Sequence, residues 1–159
     1  MIVFPLTLDE IDLARKIGRQ RNEIKVRQGI TTHKHAPASD ESIHVLGAMA
    51  EIVVCRWLGV LFNDSITPYG DGGLDLTWGG LKADVKMRSE WGRDLLILPD
   101  LSDFRADIAM LCWPGKEPDT VAVVGLVSRE RFRQKARSDL LVRPPRLVMP
   151  WQELTKISS

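Results

Sequence analysis

Cysteine, histidine and tyrosine are scarce in this sequence: two, three and one among 159 residues. Cys55 and Cys112 lie in the apolar runs IVVCRWL and IAMLCW, so they read as small buried hydrophobes of a reducing compartment, and a disulfide framework is excluded. His33, His35 and His44 come with no CxxC or HxxxH spacing, which leaves nothing to build a structural zinc site. Long apolar stretches are also missing. None approaches the ~18 residues of a membrane span, and the opening MIVFPLTLDEID has no basic n-region of a signal peptide. A cytoplasmic protein is expected, in a host cytoplasm if the chain is phage-encoded. There is no internal repeat or low-complexity tract. An excess of one charge is absent too: 22 Lys and Arg face 21 Asp and Glu, for a net charge of +1. Global charge therefore names no partner.

What is present suffices for one domain. A chain of this length buries roughly 70% of the surface its unfolded form exposes, and 44% hydrophobic content supplies the core without help from a metal. Charge is uneven along the chain. Residues 15–27 carry Arg15, Lys16, Arg19, Arg21, Lys25 and Arg27 against Glu23; residues 129–137 carry Arg129, Arg131, Arg133, Lys135 and Arg137 against Glu130. These segments suit a polyanion, and they equally suit solvated helix faces.

Thr7-Leu-Asp-Glu10 reads as a capping box that opens a helix over residues 8–27, ended by Gly29. Its apolar stripe is partial, so a peripheral position is expected. The polar stretch ITTHKHAPASDE (30–41) separates it from a second helix over 42–58. There Ile43, Leu46, Gly47, Ala50, Val54, Trp57 and Leu58 recur at helical spacing, and small Gly47 and Ala50 allow a close approach to another element. LDLTW and LKADVKMR flank Gly79-Gly80 and read as a tight β-hairpin. LLIL (95–98) reads as a short strand. IAMLCW and TVAVVGLV are continuous apolar runs, expected as central strands buried on both faces. Ser128 caps a short basic helix, RLVMP is a last strand, and 151–157 is expected as a final helical turn or two. The expected fold is a single α/β domain, a central mixed β-sheet flanked by helices. Within it, 1–41 forms a basic helix and loop and 42–156 a core.

Counting across a two-residue turn at Gly79-Gly80 places Asp75 opposite Asp84, with the two carboxylates side by side and repelling unless a cation lies between. Strand alternation puts Lys86 on the same face as Asp84. Two close carboxylates suit Mg²⁺, which takes few protein ligands and keeps its waters. A surface ladder of Asp and Lys has the same spacing, so spacing alone does not choose between them.

Asp75 followed by Asp84-Val85-Lys86 resembles the signature of the PD-(D/E)XK nuclease superfamily, an acid on one strand and an acid-x-lysine on the next. Gly47-Ala-Met-Ala-Glu51 is similar to the helix glutamate many members carry before that hairpin. The run from Ala106-Asp107 through the two apolar strands, the basic helix and RLVMPWQEL resembles compact members, small phage and prophage nucleases among them. The likeness spans about residues 42–156. It departs at Leu74, where the superfamily often has proline, and Asp71 in YGDGG competes with Asp75 as first acid.

The resemblance implies a restriction-endonuclease-like core and Mg²⁺- or Mn²⁺-dependent hydrolysis of DNA. In it Asp75 and Asp84 bind the metal with the Val85 carbonyl, Lys86 assists the attacking water, and Glu51 binds a water, a second metal or the first metal's outer shell. Arg19, Arg21, Lys34, Arg88, Arg93, Arg131 and Arg133 are the candidate phosphate contacts. His33 and His35 lie in a loop that suits a substrate groove. Trp91 suits stacking on a base or partial burial, and Trp57, Trp113 and Trp151 read as core. DNA, structured or single-stranded, is the implied partner, and a homodimer is compatible with cutting both strands. An RNase on the same site, or a non-catalytic nucleic-acid-binding or assembly module, are the competing expectations.

The basic segments generate a measurable expectation. Nucleic-acid binding is to weaken steeply with salt, each neutralised phosphate contact flattening the log–log slope by roughly one unit. Charge reversal at Arg19, Arg21, Arg131 and Arg133 that moves neither affinity nor slope identifies both segments as solvated faces.

Overall fold

The computed structural model describes residues 1–29, 40–64, 74–97, 101–139 and 146–157. In chain order its elements are β1 (Ile2–Pro5), α1 (Leu8–Arg27), α2 (Asp40–Leu58), β2 (Leu76–Trp78), β3 (Leu81–Met87), β4 (Leu95–Ile97), β5 (Ile108–Pro114), β6 (Thr120–Ser128), α3 (Arg129–Lys135), β7 (Arg137–Asp139), β8 (Arg146–Met149) and β9 (Thr155–Lys156). Single 3₁₀ turns occupy Leu101–Asp103 and Trp151–Glu153.

The two apolar runs become β5 and β6, nearly every residue of which is buried. They pair antiparallel at the centre of a sheet of order β1-β6-β5-β3-β2, with β9 on the same edge of β6 as β1. β3 joins β5 in parallel, and the remaining ladders are antiparallel, so the sheet is mixed. A register shift between Leu111 and Cys112 leaves Val124 as an extra residue on β6. A bulge of this kind bends the strand and increases its twist.

Alternation sends side chains of the central strands into two cores. Met110, Cys112, Val121, Val123, Ala83 and Val85 meet α1 and α2 on one face. Ala109, Leu111, Trp113, Ala122 and Val124 meet Phe132 of α3 together with Leu95 and Met149, which belong to a second sheet of order β4-β8-β7. The chain is thus one α/β domain in three layers: helices, main sheet, then small sheet and α3. Among the described residues no helix is long and apolar enough to cross a membrane.

Several local expectations meet the structure directly. Thr7 Oγ1 accepts the Glu10 N–H at 3.3 Å while Glu10 Oε2 accepts the Thr7 N–H at 2.8 Å, the reciprocal box. Ser128 caps α3 through the Arg131 N–H. Gly79 and Gly80 both have positive φ, 56° and 82°, the conformation a two-residue turn demands. Other expectations need correction. MIVFP is too short to show a period, yet residues 2–5 form β1 because β6 offers them an edge. Residues 155–156 are strand, not helix, for the same reason. β7 was hidden at the end of the basic segment.

α1 is less peripheral than its stripe suggests, since Ala14 and Ile17 are buried in the helix-side core. The close approach of the two helices also falls elsewhere than expected. A Cβ on Gly18 would lie 2.4 Å from Val45 Cγ2 and 2.7 Å from the Val45 backbone nitrogen, whereas one on Gly47 would meet only Glu51 Oε1 at 4.0 Å. Gly18→Ala is therefore expected to cost about 1–3 kcal/mol, because backbone must move to admit the methyl. Gly47→Ala is expected to be neutral or to stabilise by up to ~1 kcal/mol through helix propensity. Urea unfolding of the two variants checks the ordering; equal effects contradict the assigned contact.

Candidate active site

The hairpin register is the one counted from sequence: Leu76 opposite Ala83, Thr77 opposite Lys82, Trp78 opposite Leu81. β2 stops at Leu76, and beyond it the strand edge of β3 is taken by a side chain. The Asp75 N–H donates to the Ala83 carbonyl at 2.9 Å, and Asp75 Oδ2 accepts the Val85 N–H at 2.5 Å. Asp75 thus replaces a ladder partner with its carboxylate. The regular ladder ends at Leu76 opposite Ala83, one residue short of the expected Asp75–Asp84 pair, and Asp75 turns its carboxylate into the open edge.

Asp84 is 1% exposed, and its Oδ2 lies 2.7 Å from Lys86 Nζ. Both residues stand on the small-sheet face, since Asp84 and Lys86 sit opposite Ala109 and Leu111 in the parallel register. The backbone agrees. Lys82 and Arg88 direct their backbone groups at β5, through Lys82 O to the Asp107 N–H and the Arg88 N–H to Cys112 O. Alternation then turns Val85 toward the β2 edge, where Asp75 takes its N–H, and its carbonyl faces the same edge. Asp75 is consequently tied to the N–H of the Asp84–Val85 peptide, and the carbonyl of the next peptide, that of Val85, faces the same edge.

Glu51 stands apart from that group. It is 8% exposed on α2, and Arg21 of α1 grips it with two bonds, Nη1 to Oε1 at 2.6 Å and Nη2 to Oε2 at 2.7 Å. Glu51 and Asp75 nevertheless share a neighbourhood. Burial first, then the charges of Glu51 and Asp75, push the Cys55 thiol up to about 11. Burial and then Asp75 also raise the Cys112 thiol. Both thiols stay protonated and are poor nucleophiles or ligands near neutral pH.

Among the described residues no set of three or more His, Cys, Asp or Glu side chains is gathered closely enough to hold a metal ion. The donor chemistry around the Asp84–Val85 peptide, two carboxylates and a carbonyl, fits a hard divalent ion that completes its shell with water. It does not fit an ion held by all three acids, because Arg21 already holds both oxygens of Glu51.

The cationic candidates separate by what they touch. Arg21 serves Glu51. Arg19 Nε lies 3.3 Å from Glu41 Oε1 on an exposed surface. Arg93 Nε donates to Glu90 Oε2 at 2.7 Å. Arg131 Nη2 donates to the Glu153 carbonyl at 3.0 Å. Arg133 lines a cleft of about 640 Å³ with Arg129, Ser128 and Asp107. Arg88 is half-buried, and burial, followed by the Arg93 and Arg146 charges, lowers its pKa, with Asp94 and Glu90 acting the other way. Arg146 escaped the sequence reading altogether; nothing near it in the chain links it to β3. Trp91 packs on Trp113 with ring centroids 5.2 Å apart. Lys34, His33, His35 and Asp71 lie outside the described residues.

The fold and the site define a class, a single-domain α/β protein with an acid–lysine pair on the strand that flanks the central pair. Compared with protein-family models and with curated proteins, the chain finds no match.

The Arg21–Glu51 bridge has a measurable consequence. Removing the cation leaves a nearly buried carboxylate uncompensated, so Arg21→Met is expected to destabilise by about 2–3 kcal/mol. Pairing it with Glu51→Gln is expected to recover much of that loss. Denaturant unfolding of the double-mutant cycle reads the coupling; additive effects contradict it.

Proposed function

We propose that the protein is a metal-dependent nucleic-acid hydrolase of the PD-(D/E)XK type, cutting phosphodiester bonds in DNA with Mg²⁺ or Mn²⁺. The observation that carries this reading is the 2.7 Å pairing of Lys86 Nζ with buried Asp84 on β3, next to an Asp75 carboxylate held on the Val85 N–H. In this reading Asp75, Asp84 and the Val85 carbonyl hold the ion, which when bound supplies a Lewis acid and a water of lowered pKa.

The chain's own groups do the rest. Asp84, 1% exposed on β3, fixes the Lys86 ammonium. That ammonium orients the attacking water and offsets negative charge developing on the phosphoryl oxygens, an effect that is strong where water is excluded. Glu51 acts as a positioning residue: its bridge to Arg21 locks α1 onto α2 beside Asp75.

A non-catalytic nucleic-acid-binding module is the competing reading, and the same bridge favours it, since it withholds Glu51 from a metal. Nicking of plasmid DNA separates the two, with a panel of structured DNAs and RNAs to set substrate class. Cleavage is expected with Mg²⁺ or Mn²⁺ and is to vanish with chelator. Lys86→Ala and Asp84→Asn are each expected to lower it by at least ~10²-fold. Divalent ion is expected to raise the melting temperature of wild type more than that of Asp84→Asn. Near wild-type cleavage by either variant removes the site.

A further inference from the structure

Strand alternation extends the Asp84, Lys86 face of β3 by one more residue. The Arg88 N–H still bonds Cys112 O at 3.0 Å, so Arg88 keeps the strand register and its side chain follows Lys86 on the small-sheet face. Three tryptophans form the floor there. Trp91 and Trp151 lie against Trp113 at 5.2 and 5.3 Å between centroids, and Trp113 Nε1 donates to the Arg93 carbonyl at 2.9 Å. Arg146 opens β8, opposite Asp139 in the small sheet.

Arg88 Nε, Arg146 Nε and Trp91 Nε1 are buried donors with no hydrogen-bond partner among the described residues. An unpaired buried donor is costly, and the Arg146 charge reaches Arg88, so these donors together call for an acceptor. The two acids that act on Arg88 are otherwise engaged: Glu90 holds Arg93, and Asp94 Oδ1 accepts the Trp151 N–H at 3.1 Å. Lys116 Nζ, 5.5 Å from the centroid of the Trp91 ring, adds positive charge over that ring.

We propose that Arg88, Arg146 and Trp91 form an anion subsite that takes a phosphate group, displaced along β3 from the Asp84–Lys86 pair. Planar guanidinium groups match phosphate oxygens with paired N–H donors, and the indole N–H supplies a further one without charge. Repulsion between Arg88 and Arg146 is relieved when an anion enters, so binding is favoured by electrostatics already present in the free protein. The subsite's use on a polynucleotide rests on the hydrolase reading; its capacity for phosphate does not. The phosphate belongs either to the internal backbone or to a strand end.

Calorimetry with inorganic phosphate tests the site. Wild type is expected to bind it saturably, and Arg88→Gln and Arg146→Gln each to weaken binding by about 10-fold or more. Trp91→Phe keeps an aromatic ring against Trp113 while deleting the N–H together with part of the indole's bulk, and is expected to weaken binding by a smaller factor of about 3-fold or more. It keeps the proposal testable if an arginine variant misfolds. Absence of saturable binding in wild type, or unchanged affinity in Trp91→Phe and in the folded arginine variants, overturns the site. Oligonucleotides with phosphorylated and hydroxyl ends then identify the source. A terminal phosphate gives a preference that Arg146→Gln abolishes; internal phosphates give equal binding to both, lowered equally by the variant. Oligonucleotide binding indifferent to Arg146→Gln overturns the polynucleotide role. Phosphate calorimetry needs no divalent ion, so failure of metal-dependent cleavage leaves its result intact.

Discussion

The parallel register of β3 on β5, from Ala83 opposite Ile108 to Met87 opposite Cys112, is the constraint on which the rest of the molecule depends. β5 is buried on both faces and cannot slip without moving every side chain to the wrong core. β3 inherits that rigidity. Its odd residues Ala83 and Val85 are committed to the helix layer, which forces Asp84 and Lys86 to the other face. A one-residue slip would drive a carboxylate into the core beneath α2 and expose two apolar side chains, a cost far above any local preference of the hairpin.

The buried acids are handled by pairing. Glu51 and Asp84 are the two buried charged residues among those described, and each has a cation within 2.7 Å. The two pairs differ in reach. Asp84 and Lys86 are two residues apart on one strand, so their geometry follows from alternation. Arg21 and Glu51 come from different helices and meet only because α1 lies along α2, where Gly18 admits Val45 at close range. Asp75 shows a third solution: its carboxylate satisfies a strand N–H that β2 is too short to reach.

The small sheet changes the surroundings of β3. Without β4 and β8, the Asp84 face would be a wet surface; with them, Leu95, Met149 and the tryptophans close over the other side of the main sheet. Arg88, Arg146 and Trp91 are half-buried residues at the margin of this layer. There, apolar packing has removed water from donors without supplying acceptors.

Much of the local structure was legible in residues 7–29 and 76–87, because a capping box, a two-residue glycine turn and a period of two act over a few neighbours and owe little to the remainder of the chain. The same holds for the Asp84–Lys86 face and for the burial of β5 and β6, whose apolar runs leave no polar side to expose. β1, β7 and β9 were illegible because strands of two to four residues carry no period; they exist where another strand offers an edge. Arg21's service to Glu51, Gly18 and not Gly47 as the point of helix contact, the turning of Asp75 into the edge, and the nearness of Arg146 to Arg88 were decided by tertiary structure alone. Each depends on distances between segments remote in the chain, and those distances are set by packing of the two cores, which no local pattern encodes.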